Sequence, residues 1–250
     1  MKKLLICLIA LSLTLCSLVG CASDDLNGFN NNAYSSTVTT PTVNTPTINT
    51  PTINTPTINT PTVNTPTPAD LGQTIYNDLV TASELCETYR YAVYNAWYFA
   101  IYEFDNYTSS QKLEAPQNST IVTDFAIKVG IPQDEMRTII ANYPEGLGVI
   151  ALGNFNSSVN FTLSALEKNG TKSKLETAIS TAKTNLKDLT ENHSTYAENE
   201  SLKKFYTEVN AYAEYLTNPT GSFESMKSTT QTHQSNVRTA KAALDFAFGS

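Results

Sequence analysis

The chain has 250 residues, of which 40% are hydrophobic and 16% charged, with a formal net charge of −7. Its longest basic runs are the pairs Lys2-Lys3 and Lys203-Lys204, so it lacks the patch that displaces counterions from phosphates, and nucleic acid is excluded as a partner. With four cysteines and two histidines and no spacing among them that suits a metal, neither a metal nor a cofactor is expected.

Lys2 and Lys3 precede an apolar run from Leu4 to Val19 that ends in small residues before Cys21, the layout of a secretory signal. A bilayer span needs about 20 apolar residues. This run is interrupted by Ser12, Thr14 and Ser17, so it reads as a signal that is removed (residues 1–20). Leu18-Val19-Gly20-Cys21 resembles the lipobox of bacterial lipoproteins, a likeness confined to the N-terminal region. The resemblance implies cleavage before Cys21, lipid attachment at Cys21, and retention at the extracytoplasmic face of a bacterial cell membrane. Two or three acyl chains, at ~0.8 kcal/mol per buried methylene, would make that anchor stable. Loss of Lys2 and Lys3 takes the net charge to −9. Cys7 and Cys16 leave with the signal and Cys21 carries lipid, so Cys86 has no intrachain partner for a disulfide.

Residues 21–39 are polar, with Asp24-Asp25 and Asn30 to Asn32, and too poor in apolar groups to form a core; they read as a disordered tether. Residues 40–68 repeat Thr-Pro-Thr-Val/Ile-Asn. A solenoid needs units of roughly 20 or more residues with a face to stack, and one Val or Ile in five does not provide it. Proline in each unit fixes φ and removes a donor. An extended Thr/Pro-rich stalk follows, reaching at most about 90 Å at polyproline rise.

Residues 69–250 are enough for one domain, and their periodicity is helical. Ile75, Leu79, Ala82, Cys86, Tyr89, Val93, Ala96 and Ala100 alternate spacings of four and three, a continuous apolar seam broadened by Trp97, Ile101 and Phe104. This first helix should run to Phe104 and end within Asn106 to Ser110. A short helix over Ile121 to Val129 stops at Gly130, and a second opens on Pro132 with Asp134 and Glu135. From Pro144, a glycine-bearing segment keeps Leu152, Phe155, Val159, Leu163 and Leu166 at helical spacing; Gly146 and Gly153 are expected to admit a neighbouring helix. Ser173 to Glu176 and Thr195 to Glu198 have the pattern of capping boxes. Ser222 caps a last helix whose stripe is Met226, Thr230, His233, Val237, Ala240, Leu244 and Ala247. The fold class is all-α: an elongated up-down bundle of four long helices plus two or three short ones.

Catalytic groups are sparse. His233 falls in a core stripe, His193 lies at a helix end, and pairs such as Glu84 with Glu87 or Glu103 with Asp105 read as a solvated face, so no enzyme is expected. The compositional excess is aromatic and crowds the end of the first helix. Tyrosine and tryptophan offer rigid amphipathic contact area, which makes Tyr91, Tyr94, Trp97, Tyr98 and Tyr102 the candidate partner-binding residues. The expected function is that of a lipid-anchored surface protein presenting a helical module to a protein or cell-envelope partner. The alternatives are a membrane-acting, toxin-like bundle using Gly146 to Leu166, or a small-ligand-binding envelope lipoprotein, with Cys86 as the candidate reactive group.

Overall fold

A computed structural model describes residues 65–249. The signal, Cys21, the tether and nearly all of the stalk lie outside the described residues. Helix α1 (Pro68–Tyr98) begins one residue before the expected boundary, because Thr67 forms a capping box with Asp70 and Pro68 takes the first helical position. Every residue of its predicted main seam, from Ile75 to Ala100, is buried. At 31 residues, α1 is about 46 Å long.

The axis then changes pitch. Phe99–Glu103 forms a π-turn and Phe104–Asn106 a 3-10 turn. The wider π-turn delays the rotation of the side chains, so Ile101, expected inside, faces solvent while Trp97 and Phe104 stay buried. After the one-turn helix α2 (Ser109–Lys112), α3 (Thr120–Val129) is capped by the buried Ser119 and stopped by Gly130 at φ 72°. Helix α4 (Gln133–Ala141) has Pro132 at its N-cap rather than at the first helical position. The glycine segment is not one helix but the 3-10 turn Pro144–Gly146, the one-turn α5 (Gly148–Ala151) and α6 (Phe155–Lys168).

Helices α7 (Thr171–Asn192), α8 (Asn199–Thr217) and α9 (Phe223–Phe248) complete the bundle. Neither Ser173 nor Thr195 caps a helix. The turn at Asn169-Gly170 is tight enough for α7 to start at Thr171, with Asn169 Oδ1 accepting from the Thr171 amide at 3.0 Å, which leaves Ser173 inside the helix. Before α8, the buried Asn199 donates to the His193 carbonyl at 2.9 Å and bridges the turn. Ser222 caps α9 as expected, accepting from the Ser225 amide.

Helix α1 is the common partner, packing against α3, α6, α7, α8 and α9. Tyr196, in the α7–α8 turn, lies against Gly72, and Tyr76 meets both Phe205 and Phe248. Further up, Glu87 accepts from Tyr212 on α8 and Gln234 on α9. Phe223, at the start of α9, sits beside Tyr94 and Trp97. These contacts set α8 parallel to α1 and α7 and α9 antiparallel, as short connections require. The architecture is the expected all-α bundle of four long helices, with α3, α4 and α6 as the three shorter ones and two single-turn helices added. No strand occurs among the described residues.

Candidate functional site

The candidate aromatic residues occupy the end of α1 remote from Thr67, where the chain enters the bundle. The pattern that buries the main seam leaves Tyr91 and Tyr102 outside, 51% and 52% exposed. Tyr94 and Tyr98 are half-buried and stack with centroids 6.3 Å apart, and Tyr98 meets Tyr102 at 5.0 Å. Trp97 is a correction. It is 2% exposed, covered by Phe155 at 6.1 Å and Phe223 at 6.4 Å, and presents no contact surface. Its indole Nε1 is buried without a hydrogen-bond partner.

Two residues outside the predicted contact set complete the cluster: Phe155, which the periodicity placed on a buried stripe, and Phe223, which it did not single out. Phe223 follows the Ser222 cap and touches Tyr94, Tyr98 and Tyr102 at 5.1, 6.5 and 5.9 Å. Phe155 opens α6, packs on Trp97 and stays 41% exposed. Each lies in the first turn of its helix, and two aromatics at helix starts facing an aromatic-rich helix end are the signal that could have found them.

Helix α3 flanks the cluster on another side. Phe125 packs edge-on against Phe99 at 5.2 Å, and Lys128 Nζ lies 4.9 Å from the Tyr98 centroid while bonding Glu103 at 2.6 Å. The hydrogen bond to the Glu103 carboxylate holds the Lys128 ammonium above its ordinary pKa, so the cation beside the rings stays charged at neutral pH. Tyr107 donates to Asp124 at 2.7 Å, which pins the end of the 3-10 turn to α3. The result is a surface of ring edges and hydroxyls with one half-exposed ion pair. Such a surface supplies contact area and hydrogen bonds, with a cation–π contact already made.

The other candidates are distributed through the core and the helix ends. Cys86 is fully buried, and burial, with the Glu87 charge second, pushes its thiol up to about 12. A thiolate is the reactive form, so Cys86 behaves as core filler. Glu87 is bound by Arg90 at 2.8 Å as well as by Tyr212 and Gln234. Glu103 and Asp105 pair with Lys128 and Lys112. His193 caps the end of α7, and His233 stacks on Tyr212 at 5.4 Å. Gly153 does admit a neighbour, the Phe104 ring, whereas Gly146 meets nothing. The close approach expected of Gly146 belongs to Gly148, against Ile140. Among the described residues, no helix is long and apolar enough to cross a membrane, and no group of three or more His, Cys, Asp or Glu could hold a metal ion. Compared with known proteins, the chain matches no family model, no curated protein and no solved structure.

Proposed function

We propose that this chain is a lipid-anchored, extracytoplasmic surface protein that presents its bundle as a non-enzymatic interaction module. Its contact face is the surface formed by Tyr91, Tyr94, Tyr98 and Tyr102 with Phe155 and Phe223. The observation that carries the reading is positional: these aromatics sit at the end of α1 about 35 to 50 Å from Thr67, where the chain enters. The cluster therefore lies at the end of α1 opposite Thr67, the residue through which a tether would join the bundle. Tyrosine at such a surface is favoured in binding hot spots, and the π-turn beneath it is a device frequent at functional sites.

Photo-crosslinking on intact cells tests this reading. A benzophenone side chain at Tyr91 or Tyr102 is expected to yield a discrete adduct, and the same group at the exposed Thr184 on α7 is not. Identical adducts from all three positions, or none from the tyrosines, would overturn it. Cys21→Ser is expected to move the protein from the membrane fraction to the soluble one; unchanged fractionation would remove the anchor from the proposal.

A further inference from the structure

A second candidate site lies along the first half of α1 and shares no residue with the contact face. Between α1 and α7 the surface opens into a hollow of 400 Å³, lined on its apolar side by Leu85 and Ala178 and on its polar side by Asp78, Thr81, Lys174 and Thr181 among others. Leu85 packs against the core and Ala178 is buried, so the apolar wall is part of the bundle itself. A mostly apolar cleft carrying a few polar groups is the usual form of a small-molecule site.

Asp78 is the anomaly in this hollow. Its carboxylate accepts no hydrogen bond among the described residues, and Oδ2 is shielded from solvent. Carboxylates drawn out of water are normally paired with a donor or a cation. Burial pushes the Asp78 carboxyl up from its ordinary range, and no neighbouring donor or charge offsets it. Oδ1 is left as the open acceptor, which suits a cation that brings its own hydrogens.

Lys174 supplies the opposite charge at a distance. It forms no ion pair among the described residues. Because α1 and α7 run antiparallel, Thr181 lies toward the Asp78 end of the hollow and Lys174 toward the Leu85 end. Asp78 and Leu85 are two turns apart, about 10 Å of helix. A simple amine would leave Lys174 without a counterpart, a fatty acid would meet the Asp78 charge, and a short zwitterion would not reach both ends.

We propose that this hollow binds a linear ω-amino carboxylate. The ammonium group donates to Asp78, the alkyl chain lies against Leu85 and Ala178, and the carboxylate accepts from Lys174. The site is independent of the contact face proposed above.

Calorimetric titration of the purified chain with 6-aminohexanoate at pH 7 tests it, with hexylamine, hexanoate and glycine as the ligands that lack the anion, the cation and the length. The ω-amino acid is expected to bind saturably at one site, and each of the others about tenfold more weakly or not at all. Lys174→Gln, at an exposed position, should bring 6-aminohexanoate down to the affinity of hexylamine and leave hexylamine unchanged. Asp78→Asn should weaken both amines about tenfold while unfolding at the same or a higher temperature, since it removes an unpaired charge that the fold holds away from water. Absence of saturable heat up to about 10 mM 6-aminohexanoate, hexanoate or glycine binding as tightly, unchanged affinity in Asp78→Asn, or a lower unfolding temperature for Asp78→Asn would overturn the proposal.

Discussion

The Tyr76 hydroxyl on α1 donates a 2.5 Å hydrogen bond to Asp245 Oδ1 on α9, across 169 residues of sequence. Lys241 bonds the same oxygen at 2.7 Å and lies 5.6 Å from the Tyr76 ring centroid. These three side chains pin the last helix to the first near the point where the chain enters. Lys241 foremost, then Tyr76, holds the Asp245 carboxyl below its ordinary pKa. A depressed carboxylate stabilises the fold above its unfolded pKa of about 3.9, and that contribution is lost as pH falls through the folded value. Tyr76→Phe is expected to cost about 1 kcal/mol near neutrality, since the carboxylate is 45% exposed and its charge is partly screened. Thermal unfolding of the two proteins should converge as the pH falls below the ordinary carboxyl range and through the folded value. A constant gap over that range would show that Tyr76 acts through packing alone.

Burial divides the candidate aromatic residues into support and surface. Trp97→Ala removes a side chain enclosed by Phe155 and Phe223 and should destabilise by about 3–5 kcal/mol. Tyr91→Ser and Tyr102→Ser act on half-exposed rings and should each cost under about 1 kcal/mol. Urea unfolding separates the groups. If Trp97→Ala unfolds with the wild-type midpoint, the packing described at this end is wrong.

Much of the bundle was legible because a four-three spacing leaves one geometric solution. The seam from Ile75 to Ala100 is buried throughout, and Gly130 and Ser222 end and begin helices where local chemistry demands. What escaped was phase and competition. A π-turn has no marker in the apolar pattern, so Ile101 was placed inside when it is 43% exposed. At the end of α9 the buried position is Phe248 rather than Ala247, because a large ring one residue on fills the space beside Tyr76. Ser173 and Thr195 carry capping patterns, but a cap acts only where the helix starts, and Asn169 and Asn199 set those starts instead. The contact face was legible as a concentration of tyrosine. Its completion by Phe223 and Phe155 was not, since each comes from a different helix end.

The glycines of the α4–α6 connection should differ sharply in tolerance. A Cβ on Gly148 would overlap the Ile140 carbonyl oxygen, which is backbone and cannot turn aside. Gly146 has open space around it but a φ of +69°, which an L side chain adopts at a cost of about 1–2 kcal/mol. Gly148→Ala is therefore expected to lose about 2 kcal/mol or more through overpacking, and Gly146→Ala about 1 kcal/mol. Denaturant midpoints give the order; a reversed order would show that the backbone around Ile140 yields easily.

Cys86 provides a probe of global opening. Its side chain is inaccessible and its thiol is held up to about 12, so a thiol reagent at pH 8 should modify it at a rate set by opening of the bundle. In a Cys21→Ser background, reaction should be complete within seconds in denaturant and slowed by several orders of magnitude without it. Rapid native labelling would mean that α1 separates from its neighbours far more readily than a packed core allows.

His233 sets an acid limit on stability. Its ring stacks on Tyr212 at 5.4 Å and lies 5.7 Å from Tyr215, and Nδ1 is buried without a partner. Burial depresses its pKa below the usual histidine value, opposed by the Glu208 carboxylate facing it from α8. For a base with a lowered folded pKa, the unfolded chain binds more protons between the folded value and about 6.5, so stability rises with pH through that window and falls on acidification. His233→Phe preserves the stacked ring and removes the titration. Unfolding free energy measured between pH 7.5 and 5 should decline in the wild type and less steeply in His233→Phe. Parallel slopes would place the acid sensitivity on the carboxylates, leaving His233 a packing residue at the α8–α9 contact.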